Sequence, residues 1–94
     1  MHILMAGDLP SLEQTLEALR ATHPDLIVVG HAFTEGELFR TARIEQPEVI
    51  LLDWSFRPRL TQEWAAYLSH LSGGARIIAV YASQEALERQ RGPG

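Results

Sequence analysis

The chain has 94 residues, a formal net charge of −4 and no cysteine. That length fits one domain, and the missing thiols exclude disulfides and thiolate metal sites. Its basic residues are eight scattered arginines with no lysine; without a basic stripe, nucleic-acid binding by this domain is disfavoured.

Ile3-Leu4-Met5-Ala6, ending at Gly7-Asp8, reads as a buried first strand. It reads as strand rather than signal peptide, because it has no basic n-region and Asp8 and Pro10 interrupt the apolar run. Ser11 and Gln14 have the spacing of a capping box, and Leu12, Leu16 and Leu19 recur at helical intervals through Arg20. His23-Pro24-Asp25 ends that helix, since the residue before a proline avoids helical geometry. Leu26-Ile27-Val28-Val29 is apolar and largely β-branched, which predicts a second strand.

Thr34 and Glu37 give a second capping-box spacing. The helix they open places Leu38 and Ala42 on one face, with Phe39 beside them, and closes at Gln46-Pro47. Glu48 to Trp54 predicts a third strand around Val49-Ile50-Leu51-Leu52. Arg57-Pro58-Arg59 predicts a loop. Thr61 to Leu71 predicts a third helix with Trp64, Leu68 and Leu71 on one stripe, and Ser72-Gly73-Gly74 a turn. Arg76 to Tyr81 predicts a fourth strand. Ser83 opens a last helix through Arg91, with residues 91–94 as a flexible tail. No apolar run approaches the roughly 20 residues that span a bilayer, so a soluble, cytoplasmic protein with no membrane contact is expected.

Strands alternating with helices predict right-handed βαβ units, hence one α/β domain over residues 1–94 with a doubly wound parallel sheet. In the flavodoxin-like order 2-1-3-4 the first and third strands are neighbours, and ligands bind at the switch point between them. Asp8 follows the first strand and Asp53 ends the third. The two carboxylates are therefore predicted to share one cleft beyond the strand tips. Paired carboxylates suit a hard cation such as Mg²⁺, which would screen a phosphoryl donor and support attack by a carboxylate. The structural alternative is that each acid serves as a helix cap or a loop hydrogen-bonder. His2, His23, His31 and His70 lack the spacing of a zinc site. No glycine-rich phosphate loop appears, which counts against a nucleotide or flavin. Trp64 is expected in the core, and Trp54 either beside the cleft as an interaction residue or over the sheet edge.

The stretches Met1 to Pro10, Pro24 to Ala32, Pro47-Glu48-Val49-Ile50-Leu51-Leu52-Asp53 and Arg76 to Ser83 together resemble the receiver domain of bacterial response regulators, in order and over essentially the whole chain. The resemblance implies that Asp53 stands at the phosphoacceptor position, that Asp8 is one of two metal-binding acids, and that Ser55 offers a backbone carbonyl to the same metal. It also marks departures. Gly7 stands where the family has its first acid, and Tyr81 where it has Ser or Thr. The family's lysine has no counterpart, and neither do its fifth strand and helix. Arg57, Arg59 and Ser83 are the candidate phosphate partners that remain. Phosphoryl transfer depends on charge placement as much as on the nucleophile, so a site short of an acid, a hydroxyl and a lysine is expected to be weak or silent.

With no fifth strand, Arg76, Ile77, Ile78, Ala79, Val80 and Tyr81 form an edge that can template another chain. A homodimer is expected, through this strand or by exchange of the C-terminal helix. The resemblance thus implies a non-enzymatic signal-transduction module acting on a protein partner. The alternatives are a phosphoacceptor domain of a two-component phosphorelay, cut from a longer protein, and an unrelated flavodoxin-like ligand-binding domain.

Overall fold

The computed structural model describes residues 1–80, apart from the side chains of Leu9, Ser11, Trp54 and Arg57. Four strands, β1 (His2–Ala6), β2 (Ile27–Ala32), β3 (Val49–Leu52) and β4 (Arg76–Ala79), form one sheet. Their order is β2-β1-β3-β4 and every pair is parallel. Helices α1 (Leu9–Thr22), α2 (Glu35–Glu45) and α3 (Gln62–Leu71) connect them, with a 3-10 helix over Trp54–Arg59. This is the doubly wound α/β architecture with flavodoxin-like strand order that the alternation of elements predicts.

The central strands divide the core by their two-residue period. Ile3 and Met5 of β1 and Val49 and Leu51 of β3 face Leu12 and Leu16 of α1. Their neighbours Leu4, Ala6, Ile50 and Leu52 face the other way, onto Leu38 and Ala42 of α2 and Leu68 of α3. Both faces are covered, so these two strands are apolar at every position from Ile3 to Ala6 and from Val49 to Leu52. Among the described residues β2 and β4 are the outer strands. They are less buried: Val28, Val29, Ile77 and Ile78 are all half-exposed.

Several boundaries differ from the sequence reading. α1 starts two residues before Ser11, with Asp8 as its N-cap and Pro10 in its first turn. A proline fits there because the first helical N–H groups have no partner within the helix. β2 runs three residues further, to Ala32, because its tip stays paired to Met5 and Ala6 of β1. Residues 57–59 are not open loop but the end of the 3-10 helix, which starts with a bond from the Phe56 amide to the Asp53 carbonyl (3.0 Å). The Thr34 cap is present: its Oγ accepts the Glu37 amide at 3.2 Å. Thr61 caps α3 in the same way, from the Trp64 amide at 3.1 Å.

The β1–β2 register contains one irregularity. Ile3 pairs with Val28, but Leu4 pairs with Gly30, so Val29 is an extra residue in β2. β4 pairs with β3 without interruption, and the Val80 amide adds a bond to the Leu52 carbonyl (2.7 Å). The expectations for Tyr81, Ser83 and the C-terminal helix lie outside the described residues. Among the described residues, no helix is long and apolar enough to cross a membrane.

Candidate functional site

The site forms where β1 and β3 end side by side. Ala6 pairs with Leu52, and the ladder continues one step further, from the Asp53 amide to the Ala6 carbonyl at 2.8 Å. On the other side, the Gly7 amide bonds the Ala32 carbonyl at the tip of β2 (2.9 Å). Residues 7 and 53 are thereby fixed by backbone before any side chain contributes.

Asp53 is the buried carboxylate of the site, with 2% of its surface exposed. Its Oδ2 accepts the backbone N–H of Asp8 at 2.6 Å and the Ser55 hydroxyl at 3.3 Å, and its Oδ1 accepts the Ser55 amide at 3.2 Å. Three donors spread over two oxygens satisfy a buried carboxylate that would otherwise be costly to desolvate. The two Ser55 bonds are local and shape the turn into the 3-10 helix. The Asp8 bond spans 45 residues and ties the start of α1 to the end of β3.

Gly7 makes that bond possible. Its φ is +113°, a region that residues with a side chain rarely adopt. A Cβ built on it would fall onto the Cβ of Asp53 and lie 2.8 Å from Oδ2. The sequence reading treats Gly7 as an acid lost from a pair. In this backbone no acid fits there, because Asp53 already occupies the space.

His31, the penultimate residue of β2, closes the third side. Its Nε2 lies 2.7 Å from the Gly7 carbonyl oxygen. A carbonyl only accepts, so Nε2 carries the proton. The His31 ring leans on the Phe33 ring, centroids 4.3 Å apart, and Phe33 is 65% exposed. Gly7, Asp8, Phe33, Asp53 and Ser55 line a shallow cleft of about 360 Å³. A second cleft of about 250 Å³ shares Phe33 and Ser55 and continues to Thr34, Glu35, Phe56 and Arg59.

Of the residues singled out from sequence, Asp8, Asp53 and Ser55 meet in the first cleft. Arg59 is paired with Glu35 in the second cleft. Its Nε pairs with Glu35 Oε2 at 3.2 Å, and Glu35 Oε1 also accepts the Trp64 indole N–H at 3.2 Å. Trp64 is half-buried against the core on the α2–α3 side. Residues 76–80 are on the outer strand, separated from β1 by β3. The expectations for the Arg57 side chain, Tyr81 and Ser83 lie outside the described residues. Sequence reasoning missed His31, Phe33 and Glu35 as contributors. The available signal was topological: β2 flanks β1 in the 2-1-3-4 order, so the residues after Gly30 end at the same tip as Asp8.

The fit to Mg²⁺ is poor. Mg²⁺ takes six oxygen ligands in near-octahedral array, of which several are usually waters and one or two are carboxylates. Here Asp53, one of the two acids lining the cleft, has both oxygens engaged by chain donors, and a side chain at position 7 is sterically excluded. Among the described residues, no group of three or more His, Cys, Asp or Glu side chains is placed to hold a metal. What the arrangement does chemically is hold a loop: Asp53 fixes the N–H side of the Gly7–Asp8 peptide and His31 its carbonyl side.

Compared with known proteins, the chain matches no family model, no curated protein and no solved structure.

Proposed function

We propose that the chain is a receiver-like signal-transduction domain that works through protein–protein contacts, with Asp53 serving as a structural clamp instead of a phosphoryl acceptor. The observation that carries this reading is the 2.6 Å bond from the Asp8 amide to Asp53 Oδ2, made over a glycine with no room for a side chain. Attack on phosphorus by Oδ2 competes with the Asp8 amide that ties down α1, and attack by Oδ1 competes with the Ser55 amide at the turn into the 3-10 helix. The exposed Phe33 ring beside the cleft supports a contact surface, since aromatic side chains are enriched where proteins meet.

The test is incubation with acetyl phosphate and Mg²⁺, followed by intact mass measurement. No phosphoryl adduct is expected. An adduct that disappears in Asp53→Asn would instead favour the phosphoacceptor reading, and a co-purifying small molecule in native mass spectra the ligand-binding one.

The same reading includes a cytoplasmic homodimer joined through β4. Of the two outer strands, β2 carries the extra residue Val29, and such a bulge blunts an edge against pairing. β4 is regular and presents the half-exposed Ile77 and Ile78. Antiparallel pairing of two β4 strands about a two-fold axis would place Ile78 opposite its own copy. Light scattering at micromolar concentration should give twice the chain mass, falling to the monomer in Ile78→Lys. A monomer at all concentrations would remove the dimer from this reading.

A further inference from the structure

We propose that the Gly7–Asp8 peptide couples Asp53 to His31, so that a change in the charge of Asp53 is felt at His31 and at the exposed Phe33 ring beside it. The two side chains come from different strands and grip opposite ends of one amide: His31 Nε2 donates to its oxygen at 2.7 Å and Asp53 Oδ2 accepts its N–H at 2.6 Å. An amide is a resonance hybrid of a neutral form and one with charge moved from nitrogen to oxygen. A donor at the oxygen and an anion at the N–H both favour the charge-separated form. Each hydrogen bond therefore strengthens the other.

The surroundings keep this interaction from dissipating in loop motion. The Gly7 amide is bonded to the Ala32 carbonyl and the Asp53 amide to the Ala6 carbonyl, at 2.9 and 2.8 Å. Both bonds hold the preceding Ala6–Gly7 peptide, so the Gly7–Asp8 peptide departs from a fixed point, and a change in its polarity is passed to the side chains. At one end is a carboxylate with 2% of its surface exposed; at the other, past the imidazole, is a phenyl ring with 65% exposed. Phe33 lines both clefts. A partner seated on Phe33 would sense a perturbation of Asp53 through this peptide.

This inference rests on the interaction reading for its purpose, but the coupling belongs to the free chain and is measured without a partner. Its failure leaves the contact surface standing, and a missing partner leaves the coupling standing. The experiment is NMR of the ¹⁵N-labelled full chain in three forms: native, Asp53→Asn and His31→Phe. His31→Phe removes the donor and keeps a ring against Phe33. In the native chain the Asp8 amide proton is expected well downfield and the His31 nitrogens in the Nε2–H pattern. His31→Phe should move the Asp8 amide proton upfield, because the imidazole donates to the oxygen of the same peptide. Asp53→Asn should move the His31 nitrogen signals and the Phe33 ring signals.

A double-mutant cycle in urea supplies the second readout. The double variant should retain at least about threefold more stability, as an unfolding constant, than the two single effects multiplied together, because coupled sites are not additive. An unmoved Asp8 amide in His31→Phe together with additive unfolding effects would overturn the proposal. Should Asp53→Asn fail to fold, the Asp8 amide in His31→Phe decides alone.

Discussion

Gly7 lies so close beneath Asp53 that a Cβ on the glycine would overlap the Cβ of the aspartate. The two positions are therefore not independent: the carboxylate reaches the Asp8 amide only because its neighbour across the sheet has no side chain.

Restoring a side chain at this position should damage the fold. Gly7→Ala combines a φ of +113° with overlap against Asp53, and strain and overpacking each cost about 1–3 kcal/mol. A loss of about 3 kcal/mol is expected in urea unfolding. Gly7→Asp, which recreates an acidic pair in sequence, should be at least as damaging and should gain no Mg²⁺ affinity. A Gly7→Asp variant of native stability would show that the loop has another conformation available.

Magnesium should leave the native chain unmoved. A ligand that binds the folded state raises its melting temperature by mass action. With both Asp53 oxygens already accepting from Asp8 and Ser55, millimolar Mg²⁺ is expected to give no saturable shift in a thermal melt and no heat in calorimetry beyond dilution. A saturable shift that vanishes in Asp53→Asn would contradict the clamp.

Glu35 should matter more than its ion pair suggests. Arg59 and Glu35 are both about half exposed, at 53% and 40%, and exposed pairs contribute little. Arg59→Ala should change stability by only about 0.5 kcal/mol. Glu35→Ala also removes the acceptor from the half-buried Trp64 indole N–H, and losing one such hydrogen bond costs about 0.5–1.5 kcal/mol. A larger loss and a shift in tryptophan emission are expected for Glu35→Ala and not for Arg59→Ala.

Gln46 offers a test at the far end of α2. It holds a left-handed conformation, φ 49° and ψ 55°, where glycine is the usual residue. Its side-chain amide nitrogen lies 3.0 Å from the carbonyl oxygens of Arg43 and Leu71, binding the ends of α2 and α3 together. Gln46→Ala keeps the strained backbone and loses those bonds, so about 1–2 kcal/mol should be lost. Gln46→Gly should lose less, because it relieves the backbone while removing the same contacts.

The sheet was legible because both faces of β1 and β3 are buried. Continuous apolar runs such as Val49-Ile50-Leu51-Leu52, separated by amphipathic stretches, leave few alternatives to a parallel sheet. The meeting of Asp8 and Asp53 was legible for the same reason, since strand order alone brings residues 6 and 52 together. The hydrogen bonds were not. Ser11 and Gln14 have cap spacing, yet Asp8 starts the helix, because the acceptor for the Asp8 amide comes from Asp53 on another strand. Arg59 could not be assigned its partner from sequence either, since its distance from Glu35 depends on how the 3-10 helix turns. His31 was hidden most deeply: its contact with Gly7 depends on a register that no spacing of residues reveals.

That register depends on Val29. Before it, β1 and β2 pair with an offset of 25, as His2 with Ile27; after it the offset is 26, as Met5 with His31. Paired neighbours in a sheet point to the same side. His31 therefore follows Met5 toward the α1 layer, where the Gly7 carbonyl is. Were the offset of 25 kept along the whole strand, the imidazole would pair with Ala6 and turn to the opposite layer, under α2 and α3. A deletion at residue 29 would leave Gly30 opposite Leu4 and His31 opposite Met5, so the irregularity takes up one residue of chain and keeps the histidine on the side of the loop.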